Sequence, residues 1–134
     1  MMIRPGTVED IEAIAPFDPF GGSREEEVAE NRLYVCEGEG GSPIGYVSIA
    51  GYTLHGYPYV TFLLVHPDHR RSGIASRLLH HVENLYSGRR LFISTEADNS
   101  PMRSLLAKRH YQRSGSLSGL NRNGVDEVFF FKDA

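Results

Sequence analysis

Short stretches in which apolar residues alternate with polar ones, or run together, recur along the chain and are typical of β-strands. We predict strands at residues 3–4, 33–36, 44–52, 59–65, 90–94, 111–117 and 125–132. The run Phe62-Leu63-Leu64-Val65 is apolar at every position, which predicts a strand buried at the centre of a sheet.

Capping signals predict two short helices between the first two strands. Thr7 and Asp10 have the spacing of a capping box, in which a hydroxyl and a carboxylate each satisfy a free backbone N–H group. Ser23 and Glu26 repeat that spacing. Three glutamates follow Arg24 in the first turn of the second helix. The helix dipole favours them there, and we expect a solvated helix start rather than a site for a cationic amine.

Helical periodicity predicts two further helices in the second half of the chain. The longer one carries its apolar residues on one face, at Ala75, Leu78, Leu79, Val82, Leu85 and Tyr86. The other starts at Ser100-Pro101. The resulting order is β-α-α-β-β-β-α-β-α-β-β. It predicts an α/β protein with a mixed sheet and one right-handed βαβ crossover between Val65 and Arg90.

Composition narrows the class of protein. The chain has 134 residues, of which 40% are hydrophobic, so we expect one domain with a real core. The single cysteine, Cys36, excludes a disulfide framework. The net charge of −3 gives no general attraction for nucleic acid, and no spacing among the six histidines predicts a metal site. With no apolar signal segment and no membrane span, we expect a cytoplasmic location and no membrane partner.

The most informative stretch is the turn between Val65 and the long helix. The first N–H groups of a helix have no partner within the helix, and the helix dipole adds partial positive charge there. Gly73 and Ala75 leave room for a phosphate to approach, and Arg70 and Arg71 add positive charge. The turn lacks the Gly-Lys-Ser/Thr of a P-loop and the G-x-G-x-x-G of dinucleotide-binding proteins.

Residues 70–75, Arg-Arg-Ser-Gly-Ile-Ala, fit the pattern Arg/Gln-x-x-Gly-x-Gly/Ala and follow Val65-His66-Pro67. Here the chain resembles the GNAT superfamily of acyl-CoA-dependent N-acyltransferases, over essentially its whole length. The resemblance implies a single N-acetyltransferase domain, residues 1–134, with a GNAT-like fold and acetyl-CoA as cofactor. It implies that coenzyme A contacts Leu64, Val65, Arg70, Arg71, Ser72, Gly73, Ile74, Ala75 and Ser76.

A looser match to the family covers residues 99–111. Asn99 matches the asparagine that bonds the pantetheine arm in relatives, and a helix N-cap is the other interpretation of it. The tyrosine that often protonates the departing thiolate in relatives falls on Leu106, which cannot do so. Tyr111 lies close in sequence and is the substitute we consider, but we favour the interpretation of it as a buried core tyrosine.

The resemblance implies direct attack of a neutral primary amine on the acetyl thioester in a ternary complex. The backbone N–H of Val65 is the expected donor to the developing oxyanion. The glutamate that acts as base in many relatives falls at Tyr59, a poor base at neutral pH, and Glu96 is the nearest well-placed carboxylate. His66 and His55 are weaker candidates, and ordered water alone is another route.

The acceptor is expected to be a small-molecule or peptide amine, meeting the loop between the first two helices, where Phe17 and Phe20 form a wall and Gly21-Gly22 a hinge. Two other functions stay open. One is a non-enzymatic acyl-CoA-binding sensor or regulatory module, suggested by Leu106, and the other is a nucleotide-phosphate binder unrelated to CoA. The apolar stretch 127–131 is either a buried central strand or a strand that pairs across a homodimer.

Overall fold

The computed structural model describes residues 2–134, which form one seven-stranded sheet with helices on both faces. The strands are β1 (Ile3–Pro5), β2 (Leu33–Glu37), β3 (Pro43–Ile49), β4 (Tyr59–Val65), β5 (Arg90–Glu96), β6 (Gln112–Leu117) and β7 (Glu127–Asp133). The helices are α1 (Val8–Ile14), α2 (Arg24–Ala29), α3 (Ile74–Leu85) and α4 (Ser100–Lys108). The predicted element order and the mixed α/β sheet are confirmed. Within residues 2–134, no helix combines the length and apolarity needed to cross a membrane.

The sheet has the order β1-β2-β3-β4-β5-β7-β6, and only β4 and β5 run parallel. Each face of the sheet buries its own apolar cluster. The α3 face is filled by residues such as Val47, Leu78, Leu79 and Val82, all fully buried. The α1 and α2 face is filled by Ile14, Leu33, Val35, Tyr46 and Leu64.

The sheet opens at its centre, between β4 and β5. These two strands are paired only at Tyr59 with Phe92 and at Val60 with Ile93, although both continue well beyond those positions. A register shift between β3 and β4 also leaves Thr61 as an extra residue in β4, a bulge that bends the strand. The carboxyl ends of β4 and β5 therefore diverge.

Several predicted boundaries and burial patterns need correction. Residues 62–65 are not buried throughout: only Leu64 is, because the gap beside β4 exposes the others. Strand β3 ends at Ile49 rather than at 52, since the chain turns after Ala50, whose N–H donates to Tyr59. Leu85, placed on the apolar face of the long helix, is 46% exposed at that helix's last turn.

The predicted capping residues are confirmed. The prediction that the start of α2 is solvated is wrong for two residues. Asp10 accepts the Thr7 N–H at 2.7 Å, and the Ser23 hydroxyl accepts the Glu26 N–H at 3.2 Å. Arg24 and Glu27, however, are only 6% and 4% exposed. They form an ion pair under the loop that joins α1 to α2, so Glu27 is not available to attract an amine.

The apolar strand β7 lies inside the sheet. It pairs with β5 on one side and with β6 on the other, so both of its edges are used within the chain. The interpretation of residues 127–131 as a strand inside the sheet is confirmed, although only Val128 and Phe130 among them are buried. A homodimer formed through an edge of β7 has no free edge to use.

Glu83 of α3 is a buried carboxylate held by three donors. It accepts hydrogen bonds from Arg109 at 2.6 Å, Tyr111 at 2.9 Å and Lys132 at 3.2 Å. Burial alone would raise the pKa of Glu83, but the bonds from Arg109, Tyr111 and Lys132 outweigh it and lower the pKa below the ordinary 4.5. The network ties α3 to β7 and to the chain that follows α4.

We expect Glu83 to make stability fall in acid. A carboxylate whose pKa is lower in the folded state stabilises the fold above its unfolded pKa, and this stabilisation is lost as pH falls through the folded pKa. In urea unfolding from about pH 6 to about pH 3, the difference in free energy between the wild type and Glu83→Gln should therefore shrink. The exposed Glu12→Gln is the control and should show no such trend. A difference for Glu83→Gln that stays constant with pH would contradict this.

Candidate active site

The gap between β4 and β5 is a cleft of about 350 Å³. Its walls are residues 60–63 of β4 and 93–96 of β5, and Met102 of α4 and Asn99, the residue before α4, close one side. Phe20, from the loop between α1 and α2, also lines the cleft. Two further lining residues are Glu127, the first residue of β7, and Asn121, in the loop before β7. The cleft is thus made where the two parallel strands separate.

The turn from β4 into α3 leads away from this cleft and carries the predicted phosphate site. Gly73 immediately precedes α3 with φ of +81°, and Arg71 also has a positive φ, of +65°. No side chain caps the helix, and the Arg77 N–H donates to the Gly73 carbonyl at 3.1 Å. The N–H groups of residues 74–76 precede that first helical bond and point out of the helix end. This geometry suits an anion.

Side chains of the turn bond to its own backbone and organise it. Arg70 Nε donates to the Val65 carbonyl at 3.3 Å, which holds the arginine over the end of β4. The Ser72 hydroxyl donates to the His69 carbonyl. His66 Nδ1 accepts the Asp68 N–H at 3.0 Å, so this histidine is used in the turn itself.

The remaining residues that the resemblance places in contact with coenzyme A differ in how deeply they are buried. The side chains of Leu64 and Ile74 are 8% and 1% exposed and lie in the two cores, so they offer only backbone groups. Ala75 is partly buried beside them. The Ser76 hydroxyl accepts a hydrogen bond from Arg109 at 2.9 Å.

The backbone of β4 directs N–H groups into the gap, and that of Val65 is one of them. His66 donates to the Ile44 carbonyl of the β3 side at 2.8 Å. Because successive N–H groups of a strand alternate in direction, the Val65 N–H points away from β3, toward β5. The β4–β5 ladder does not reach Val65, so that N–H faces the gap.

Asn99 both caps α4 and lines the cleft. Its Oδ1 accepts the Met102 N–H at 3.3 Å, and its Nδ2 donates to the Thr95 hydroxyl at 3.1 Å. The N-cap interpretation is confirmed. Asn99 also lies in the cleft wall, where the resemblance places the pantetheine arm.

A chain of hydrogen bonds crosses from β4 to β7 on the α1 face. The Tyr59 hydroxyl lies 2.6 Å from the Ser94 hydroxyl, and Ser94 donates to Glu127 Oε2 at 2.7 Å. An ionised carboxylate only accepts, so the Ser94 proton points to Glu127 and Tyr59 donates to Ser94. Burial raises the pKa of Tyr59, which keeps the phenol protonated at neutral pH. Tyr59 therefore orients Ser94 rather than accepting a proton.

The other acid–base candidates lie in different surroundings. Glu96 lines the cleft, and its Oε1 accepts a hydrogen bond from Asn123 at 2.9 Å. Tyr111 is 6% exposed and donates to Glu83, and burial raises its pKa. It is not among the residues that line the cleft. His55 lies in the exposed turn before β4.

Of the predicted acceptor wall, Phe20 reaches the cleft. Its ring stacks on that of Phe62, with centroids 4.7 Å apart and planes 12° from parallel. Phe17 instead contacts the ring of His66, at 4.7 Å. The acceptor side of the cleft is thus bounded by an aromatic pair.

Sequence reasoning missed one carboxylate in this cleft, Glu127. It opens a strand that is otherwise apolar, and we interpreted residues 127–131 only as a hydrophobic strand. The strand register identifies Glu127, because it pairs directly with Glu96 across β5 and β7. The sequence alone does not predict that pairing, because it depends on the order of the strands in the sheet.

With this geometry established, comparison with known proteins gives the family. The model of the acetyltransferase (GNAT) family matches residues 7–111, well over half of the 134 residues. The chain therefore belongs to the GNAT family of acyl-CoA-dependent acetyltransferases. No curated protein sequence matches it significantly.

Solved structures share the fold at low sequence identity. A GNAT-family acetyltransferase from Bacillus cereus ATCC 10987 gives a TM-score of 0.81 at 23% identity, covering 98% of this chain and 95% of that one. Arabidopsis thaliana NAA60 with a bisubstrate analogue gives 0.79 at 18%, covering 98% and 96%. The ribosomal-protein-S18-alanine N-acetyltransferase from Escherichia coli gives 0.75 at 16%, covering 97% and 91%.

Proposed function

We propose that this protein transfers an acetyl group from acetyl-CoA to a primary amine by direct attack in a ternary complex. The observation that carries the proposal is the open gap between β4 and β5, with the uncapped start of α3 following the end of β4. An elongated cofactor with a polyphosphate at one position and a reactive group further along matches this arrangement.

The residues present fit acetyl-CoA. The N–H groups at the start of α3 would bind the pyrophosphate, and Arg70 and Arg71 would supply positive charge beside them. Asn99 lies beside the path of the pantetheine arm. When bound, acetyl-CoA would supply the activated acetyl thioester, and the Val65 N–H would donate to its carbonyl oxygen.

The proton-transfer residues stay predictions. Glu96 lies in the cleft wall and is the sequence-derived base. Tyr59 remains protonated and acts through Ser94. Tyr111 is committed to the Glu83 network, so as a proton donor to sulfur it would have to leave a buried hydrogen bond. Leu106 is fully buried and offers no proton at all.

We propose a peptide or protein amine as the acceptor. Similarity to an enzyme named for the alanine of a ribosomal protein supports this class. The stacked rings of Phe20 and Phe62 bound the acceptor side of the cleft, and Phe20 is 41% exposed at the protein surface. A cytoplasmic location and a homodimer stay predictions.

The direct test is thiol release from acetyl-CoA with a panel of amines. The panel contains peptides with free N-termini, lysine peptides, polyamines, amino sugars and amino acids. We expect amine-dependent thiol release, with an acetylated peptide as the product identified by mass spectrometry. Saturable acetyl-CoA binding without turnover on any amine would contradict the proposal.

The second candidate is an acyl-CoA-binding sensor that keeps the cleft without catalysis. The buried Leu106, at the position of the usual proton donor, is the observation that favours it. Binding without turnover would support the sensor, and any acetylated product would exclude it. Competition by ATP or NAD as strong as that by CoA would instead indicate a general nucleotide-phosphate binder.

A further inference from the structure

We propose that Glu127 is the residue that takes the proton from the acceptor amine. This inference rests on the proposed acetyltransferase function and names a catalytic residue for it. Glu127 lines the same cleft as residues 60–63 of β4, and its carboxylate is the end point of the Tyr59–Ser94 hydrogen-bond chain.

Both carboxylate oxygens of Glu127 are fixed in position. Ser94 donates to Oε2 at 2.7 Å and Asn121 donates to Oε1 at 3.0 Å. Each carboxylate oxygen has a second acceptor position, so a hydrogen bond from an incoming amine needs no displacement of either donor. A base held at both oxygens keeps one orientation toward the cleft, which is what proton transfer requires.

Glu96 is held less firmly than its neighbour. Its hydrogen bond comes from Asn123, an exposed residue of the loop before β7, whereas the bonds to Glu127 are partly buried. Glu127 is also nearer the closed part of the cleft, since Ser94, its donor, precedes Glu96 on β5 and is closer to the paired end of β4 and β5. The better-ordered carboxylate is therefore Glu127.

The charges around Glu127 favour a cationic acceptor. Glu96 is its direct cross-strand partner on β5, and two like charges placed opposite each other are unfavourable. From β6 the opposite residue is the uncharged Leu117, and from β4 the nearest titratable group is the protonated Tyr59. Within residues 2–134, neither glutamate forms an ion pair. An ammonium between the two carboxylates supplies the missing positive charge.

The proton moves from the bound ammonium to Glu127, and the step needs no further reactant. One N–H bond of the bound ammonium breaks, and its electron pair stays on nitrogen. The proton forms an O–H bond with the Glu127 carboxylate, which becomes neutral. The amine is then a nucleophile for the thioester, and the repulsion between Glu127 and Glu96 is relieved.

The test is the pH dependence of kcat/KM for Glu127→Gln with a peptide amine that the wild type acetylates. We expect a loss of about 100-fold or more near neutral pH, the usual contribution of a general base. The loss should shrink as pH approaches the pKa of the α-amino group, about 8, because the amine then arrives already neutral. Thermal stability and acetyl-CoA affinity, measured on the same samples, should match the wild type.

Three variants sharpen the assignment. Ser94→Ala removes one donor to Glu127 and should reduce kcat more than KM, by less than Glu127→Gln does. Glu39→Gln, an exposed glutamate in the turn before β3, is the matched control and should behave as wild type. Glu96→Gln should keep the acidic limb of the pH profile, that is, the decrease of kcat/KM as the pH falls.

The outcomes distinguish a failure of the Glu127 assignment from a failure of the acetyltransferase proposal. If the wild type turns over and Glu127→Gln keeps its rate and its acidic limb, Glu127 is not the base. If that limb disappears in Glu96→Gln instead, the base is Glu96. If the wild type binds acetyl-CoA but acetylates no amine, the acetyltransferase proposal fails, and the role of Glu127 fails with it.

Discussion

Gly73→Val is expected to weaken acetyl-CoA binding by at least about tenfold. Gly73 has φ of +81°, a region in which a β-branched residue is a genuine outlier, so the turn before α3 must shift to accommodate valine. A shift there turns the free N–H groups of the helix start away from the pyrophosphate. Isothermal titration with acetyl-CoA measures the effect directly.

Gly88→Val is the matched control for this prediction. Gly88 follows the other end of α3 with φ of +84°, and at both glycines an added Cβ meets no atom within 4 Å. The two variants should therefore lose similar thermal stability, because they carry similar backbone strain. Only Gly73→Val should lose affinity. Equal losses of affinity in both variants would show that binding follows global stability rather than the turn.

Arg24→Met is expected to reduce the free energy of unfolding by about 3–5 kcal/mol, the usual cost of breaking a buried charge network from one side. Arg24 donates to the Tyr46 hydroxyl at 2.6 Å and to the Gly21 carbonyl at 2.8 Å, and its Nε lies 2.9 Å from Glu27. Burial raises the pKa of Glu27, and the charge of Arg24 opposes that rise. Without Arg24, the buried Glu27 carboxylate loses its ion-pair partner, and the Tyr46 hydroxyl keeps only its hydrogen bond to Asp18 at 2.7 Å.

Urea unfolding measures that loss, and Arg90→Met provides the comparison. Arg90 forms an arginine–aspartate pair of similar chemistry with Asp133, but on the surface, so its removal should change stability little. Arg24 also stacks on Phe62, which holds Phe20 at the cleft. The KM for the amine should consequently rise in Arg24→Met. Equal stability in the two variants would contradict a structural role for the buried cluster.

The fold was largely predictable because its signals are local. Capping residues such as Thr7 and Ser23, turn glycines and the periodicity of α3 each act within a few residues. The element order follows from them. What local patterns could not predict is where the sheet opens: residues 62–65 are apolar enough for a closed strand, and the bulge at Thr61 depends on pairing with β3.

The site was predictable in part, and for the same reason. The turn at residues 70–75 is a contiguous motif, so its place at the start of α3 could be read directly. Glu127 and Ser94 lie 33 residues apart and meet only through the order β5-β7-β6. Arg24 was missed because helix-dipole reasoning treats it as exposed, whereas the loop between α1 and α2 folds over it.

The central claim is that the cleft between β4 and β5, together with the start of α3, holds coenzyme A. A crystal structure of the protein with CoA tests it most directly. We predict pyrophosphate oxygens on the N–H groups of residues 74–76, with the pantetheine arm passing Asn99 and the thiol in the gap between β4 and β5. CoA bound elsewhere on the protein, with this cleft empty, would contradict it.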